Sequence, residues 1–307
     1  MVNVTRKSIL KILLTASEPV SGNSIGERLG ISKVAVWKHI KALTSNGYQI
    51  ASTPKGYLFS LNPDIPDEYL LECPGVNIRH FHVVNSTMDA ARQMDFGSDG
   101  YFLVTADSQT EGRGRYGSEW LSPEGGIYAT IGFRPSCSVY DSGKYTMAAV
   151  FSICEVLGGI YGMNPTFKWP NAVFCGSEKA AGILTEIHGE LEKPYLCLIG
   201  IGIHPDKGTY NGRTSNKKKN ADSLPVSRSK TLESFIGIFT GIVEKTGQWD
   251  LTAKLSRYCP RLSGSKIRVC DDNFTVSALL ENGSLQIKNA QDSLRLYPGE
   301  AFEFLQE

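Results

Sequence analysis

The sequence predicts an α+β protein in three parts: an N-terminal winged helix-turn-helix over residues 1–62, a central mixed-sheet α/β body over 63–264, and a small C-terminal β-barrel over 265–307. Three observations predict it. The first sixty residues carry helix-period apolar stripes and end in a short hairpin pattern. From about residue 80 to 250, alternating strand patterns interleave with long apolar helical runs. The last forty residues are short strands broken by Asn282-Gly283 and Pro298-Gly299 turns. A length of 307 residues suits two or three domains.

In the first part, 5–17 (TRKSILKILLTAS) places Ile9, Ile12 and Leu13 on one helical face. Residues 21–32 predict a second, short helix, with Ser24 a suitable cap and Gly30 a natural stop. Ser32 then caps a third helix, in which Val36, Ile40 and Leu43 fall at i, i+4 and i+7. Lys33, Trp37, Lys38 and Lys41 are left on its outer side. Residues 48–61 predict two strands around a Pro-Lys-Gly turn. This is the winged helix-turn-helix pattern. Residues 1–62 hold eight Lys/Arg and two acids, Glu18 and Glu27, a local +6 that leaves about −5 on the remainder. A basic module on a mildly acidic body favours DNA over a protein partner. Ser32, Lys33, Lys38, Lys41 and, on the wing, Lys55 would meet phosphates. Trp37 either touches a thymine methyl or packs against the second helix.

After a Pro-rich linker at 62–66, residues 80–87 (HFHVVNST) predict a strand ending in Asn-Ser-Thr, and MDAARQM a helix. Residues 100–109 form a buried strand, 126–135 an alternating one, and 145–162 a long apolar helix too Gly-rich and polar-ended to span a membrane. TFKWPN, AVFCG, KAAGILTEIHG and PYLCLIGIGIH read as an antiparallel meander, with 230–249 strongly helical.

Seven scattered cysteines without a CxxC pair read as buried, reduced thiols of a cytoplasmic protein. No secretory leader is expected, since the segment after Met1 is amphipathic and Lys-rich. His80 and His82 form an HxH pair, but no third ligand stands at a metal-like spacing, so no metal site is expected.

Three motifs carry chemistry. Residues 108–120, SQTEGRGRYGSEW, alternate Arg113 and Arg115 with glycines. Glycine lets backbone N–H groups turn toward a ligand, and guanidinium binds oxyanions in a fork. The loop therefore closes on a phosphate or carboxylate, or else is a solvated turn. KWPN (168–171) and KAAGIL (179–184) add two lysines, and together these cations would surround a polyphosphate. The absence of GxxxxGK[ST], and of a GxGxxG opening a helix, excludes the familiar P-loop and dinucleotide sites.

GRGRYG, KWPN and KAAGIL, preceded by NST and followed by GIGI, resemble the biotin–protein ligases. With the winged helix-turn-helix in front, the chain is similar to the bifunctional form, biotin ligase plus biotin operon repressor, from about residue 5 to 305. The resemblance implies a class II synthetase-like ligase domain and an SH3-like C-terminal barrel. It implies formation of biotinyl-adenylate from biotin and Mg-ATP, then transfer to a lysine of the biotin carboxyl carrier protein. Arg113, Arg115 and Lys179 match the family's catalytic cations. Ser86, Thr87, Gln109, Gly112, Arg113, Lys179 and Gly182 map to biotin binding, with Trp169, Ile183 and Leu184 as an apolar wall. Arg115, Trp120, Lys168, Asn171 and His204 map to ATP and the adenylate. The glycines of 112–117 would hinge a lid that excludes water. Repression would follow from an adenylate-linked homodimer on operator DNA.

The chain departs from the family at three positions. KWPND is here KWPNA, so Ala172 removes a carboxylate placed to bind the incoming lysine or take its proton. His204 replaces the asparagine of GIN, and Ser118 stands where arginine is frequent. Three readings follow: a bifunctional enzyme, a ligand-gated repressor that holds the adenylate but is impaired in transfer, or a lipoate-type ligase. The insert 212–230 reads as a solvated loop whose run Lys217 to Lys219 is a contact for an acidic carrier.

Overall fold

Positions 3–60, 64–94, 100–204, 226–245 and 250–305 are described by the computed structural model. The insert from 212 to 225, with its Lys217–Lys219 run, lies outside the described residues. The chain divides into two units, residues 1–72 and 73–307.

In the first unit, α1 (Val4–Leu14), α2 (Gly22–Leu29) and α3 (Lys33–Ser45) precede a hairpin of β1 (Ile50–Thr53) and β2 (Gly56–Phe59). The predicted stripe closes the core: Ile9, Leu10, Leu13, Ile25, Val36 and Leu43 are at most 1% exposed. Ser32 caps α3 by accepting from the Ala35 N–H at 3.2 Å. The α2 cap is Ser21 rather than Ser24, because Ser21 holds the extended backbone a cap requires and accepts from the Ser24 N–H. Composition marks 62–66 as linker, yet Ile65 joins the helical core. Just beyond it, buried Asp67 accepts from the Tyr48 hydroxyl at 2.6 Å. A single apolar residue between prolines leaves no periodicity by which sequence could have shown this.

The second unit is built on a seven-stranded sheet in the order β3-β4-β5-β9-β8-β7-β6. Its strands are β3 (Val76–Val84), β4 (Tyr101–Gln109), β5 (Ile127–Phe133), β6 (Pro165–Lys168), β7 (Ala172–Cys175), β8 (Glu178–Gly189) and β9 (Pro194–Ile203). Only β3 and β4 run parallel; the other ladders are antiparallel. Helix α5 (Gly143–Gly159) is buried almost all round, as its apolar composition requires. It lies between the sheet and α6 (Arg228–Val243), with Phe133 meeting both Tyr145 and Phe239. A short helix, α7 (Leu251–Ser256), buries Leu251 and Leu255; six residues are too few for a periodic signal to reveal it. On the other face, α4 (Thr87–Arg92) packs Met88 and Ala91 on Phe102, Val104, Leu196 and Leu198.

The C-terminal residues form an antiparallel sheet in the order β13-β12-β11-β10-β14. These strands are β10 (Lys266–Val269), β11 (Asp272–Leu279), β12 (Leu285–Lys288), β13 (Ser293–Leu296) and β14 (Glu303–Phe304). Among the described residues no ladder joins β13 to β14, so the strands form an open sheet and closure into the expected small barrel is not shown. The two-residue β14 is too short to close it. The sheet is tied to the body by Trp169, whose Nε1–H donates to the Gly283 carbonyl at 2.9 Å and whose ring meets Phe302 at 4.8 Å. No helix among the described residues is long and apolar enough to cross a membrane.

Candidate active site

Two glycines prepare the floor of the site. Gly182 of β8 and Gly202 of β9 are direct partners in the ladder, and the Trp120 indole lies across them. A Cβ at Gly182 or Gly202 would stand 2.6 or 2.2 Å from indole atoms, so any side chain at either position displaces the ring. His204 stacks on Trp120, with centroids 5.2 Å apart and planes 27° from parallel. The Lys179 ammonium stands 4.8 Å from the indole centroid.

Beside this floor a pocket of about 390 Å³ opens between the start of α4, the end of β4 and the loop 112–120. Its polar end is a relay of hydrogen bonds. Thr130 donates to the Thr87 hydroxyl at 2.9 Å, and Thr87 donates through N–H and hydroxyl to Gln109 Oε1. Gln109 Nε2 in turn donates to Ser122 at 2.8 Å, which donates to the Trp120 carbonyl. Ser86, 2% exposed, caps α4 by accepting from the Met88 N–H.

The Arg-Gly loop is a narrow hairpin. The Trp120 N–H donates to the Gly112 carbonyl at 2.8 Å, the Gly114 N–H donates to Ser118 at 2.7 Å, and Arg113 bridges Glu119 through the backbone. Its crest, Arg115 to Gly117, rests on the segment between β13 and β14: Arg115 donates to the Pro298 carbonyl and the Tyr116 hydroxyl to the Glu300 carbonyl. Tyr116 holds φ +55°, a left-handed conformation rare outside glycine.

The cations sit in contrasting settings. Arg113 pairs with Asp89 at 2.5 Å; Asp89 also holds Arg92, which reaches Glu186. The Arg113 guanidinium beside Asp89 holds that carboxyl below its ordinary range. Burial, and then the charge of Lys168, pushes the Lys179 ammonium below its usual pKa. Burial likewise lowers His204, so its ring stays neutral at pH 7.

Of the residues singled out in the sequence, Ser86, Thr87, Gln109, Arg113, Arg115, Trp120, Asn171, Lys179, Gly182, Ile183 and Leu184 line this one pocket. Gly112 stands behind it, bonded to Trp120. His204 lies against Trp120 and is not in the lining. Lys168 and Trp169 open instead onto a second groove with Tyr258 and Phe304, and Trp169 spends its donor on Gly283, so it is no part of the expected apolar wall. A four-residue motif does not reveal which face of an edge strand each residue takes. Asn171 donates to the Ile183 carbonyl at 2.6 Å, and Ala172 pairs with Gly182 in the ladder. Sequence reasoning did not single out Met88, Tyr116, Glu119, Gly200, Ile201 or Gly202 in the lining; Tyr116 and Glu119 lie in the loop 108–120 and Gly200 to Gly202 in GIGI, but those motifs do not say which of their side chains face the ligand. In the first unit, Lys33, Lys38, Lys41 and Lys55 are exposed. Trp37 is 50% exposed, with Lys41 5.4 Å from its ring centroid.

Residues 5–58 match an HTH domain and residues 80–204 match the biotin/lipoate A/B protein ligase family. The bifunctional ligase/repressor BirA of Bacillus spizizenii is 33% identical over 214 residues, 66% of each chain. That of Escherichia coli is 30% identical over 62% of this chain and 61% of its own length. The match thus spans about two thirds or slightly less of these relatives. The biotin protein ligase from Aquifex aeolicus in complex with biotin and ATP shares the fold, with a TM-score of 0.57 and 20% identity over 75% of this chain and 99% of that one. With an HTH domain joined to this ligase fold, the chain belongs to the biotin/lipoate A/B protein ligase family, in its bifunctional ligase/repressor group.

Proposed function

We propose that this chain is a cytoplasmic, ATP-dependent biotin–protein ligase that also represses biotin genes, organised as domains 1–62, 63–264 and 265–307. The observation that carries the reading is that Arg113, Arg115 and Lys179 border one pocket ending on the Thr87–Gln109 relay. A carboxylate and a triphosphate repel each other, so cations must neutralise both and hold them in line. Thr87 and Gln109, already oriented by Thr130 and Ser122, hold the polar ureido end of biotin, and Ile183 and Leu184 flank its chain. The reacting carboxylate then points toward Lys179. It competes with Asp89 for Arg113, so ligand binding and loop closure are linked. Trp120, with His204 behind it, forms the aromatic surface for the adenine. Magnesium enters as part of the nucleotide substrate.

In the second step a lysine amine of the biotin carboxyl carrier protein attacks the mixed anhydride, releasing AMP. Ala172 supplies no carboxylate there, so this step is the slower one in this chain. The exposed lysines of α3 and the wing hold operator phosphates, and the adenylate favours the homodimer that presents two such modules.

Mass spectrometry of carrier protein after incubation with this chain, biotin and ATP tests the proposal. Label on one carrier lysine is the expected outcome, faster with A172D. Adenylate without label would leave a ligand-gated repressor, and neither product would overturn the reading.

A further inference from the structure

Side chains at i and i+2 of a strand share one face, and register decides what they meet on the neighbour. Along the β3–β4 ladder His80 stands opposite Thr105, Phe81 opposite Ala106 and Val83 opposite Ser108, which sets His82 level with Asp107. The third group that sequence spacing does not offer thus arrives from the adjacent strand. One ring nitrogen of each histidine and a carboxylate oxygen of Asp107 lie within 4.8 Å of one another.

The atoms are arranged as ligands with their supports. The His80 side chain is 7% exposed and its Nδ1 lies 2.9 Å from the Thr105 hydroxyl. Its Nε2 is buried without a hydrogen bond, 3.4 Å from Asp107 Oδ2. That separation is the edge of a tetrahedron with bonds of about 2.1 Å. His82 Nδ1 stands 2.9 Å from the same oxygen, while the other oxygen, Oδ1, accepts from Arg228 at 2.6 Å. Metal-binding imidazoles and carboxylates are typically oriented in this way by a second contact. A buried ring nitrogen facing a carboxylate oxygen without a hydrogen bond is under-satisfied, and a metal ion bound between the two would relieve it. His82, 50% exposed, leaves the cluster open to solvent.

We propose that His80, His82 and Asp107 form a binding site for a divalent first-row transition ion, zinc being the test case, with solvent completing its shell. Two imidazoles and one carboxylate suit zinc, cobalt or nickel better than magnesium or calcium, which take all-oxygen shells. None of the three residues lines the pocket described above. The ion would pin β3 to β4 where β3 leads into Ser86 and Thr87, and where Gln109 follows Asp107 by two residues. It is a clamp on the strands that carry the polar end of that pocket.

The test is titration of the full, chelator-stripped chain with Co²⁺, followed by visible d–d absorption, and then with Zn²⁺. One Co²⁺ per chain in a nitrogen–oxygen environment, displaced by Zn²⁺, is expected. H82Q, at a half-exposed position, and D107N should each weaken binding at least tenfold. H188Q, beside Glu186, and C270S, at an exposed thiol, should not change it. The absence of a saturable Co²⁺ band, a band that survives H82Q, or a thiolate charge-transfer band abolished by C270S would overturn the site.

Discussion

On α3 and the wing, Lys33, Lys38, Lys41 and Lys55 stand in solvent, and none pairs with a carboxylate among the described residues. Around the pocket, Arg113 is engaged by Asp89 and Arg115 by a backbone carbonyl, while Lys179 is half-buried over an indole. The first surface keeps full hydration and attracts any polyanion through a screened field. The second has given up hydration, so its charges act over short distances and in fixed directions, and a ligand must displace their present partners. Net charge, +1 for the whole chain, conceals both arrangements.

The largest effect that would sharpen this contrast is at Lys179. K179A should slow adenylate formation by about 10²–10³-fold, the usual loss when a preorganised stabilising group is removed; rapid-quench assay of biotinyl-adenylate checks it. Because burial lowers the Lys179 pKa, its charge is lost at a lower pH than that of an ordinary lysine. Activity should therefore fall on the alkaline side, and K179R should move that fall to higher pH. The folding linkage has the same origin: between the lowered folded pKa and ~10.4 the unfolded chain binds more protons, so this residue's contribution to stability rises with pH.

A smaller effect is expected on the basic module. Removing Lys38 or Lys41 should weaken DNA binding uniformly across sequences and reduce the log–log salt slope by about 1 each, measured by fluorescence anisotropy over a salt series. Biotin affinity over the same series should change far less; equal salt slopes for the two ligands would break the comparison. The smallest effect is at Ser32, where S32A should cost about 1 kcal/mol by loss of the α3 cap, read from urea denaturation of the full chain.

Most of the site was legible because its residues occur in short motifs. Gly112 to Arg115, Lys179 to Leu184 and the Ser86-Thr87 pair are contiguous, and local spacing carries their chemistry. Lys168 and Trp169 open onto another groove because KWPN straddles the end of an edge strand and a turn, where direction depends on neighbouring strands. The fold was legible wherever an element had enough residues to show a period, as in α3, or a long apolar run, as in α5. It failed at α7, and closure of the C-terminal sheet, which depends on the pairing of a two-residue strand, is not shown.

By itself the sequence determined the helix-turn-helix with its wing, the strand and helix succession of the body and the cationic loop. These are local properties, set by periodicity, capping and residue chemistry. The tertiary structure alone decided that Trp120 rests on Gly182 and Gly202, that Asp89 holds Arg113, and that Asp107 meets His80 and His82. Each joins residues distant in the chain through strand register or the approach of one element to another, and a one-residue slip would abolish them while leaving every local pattern intact.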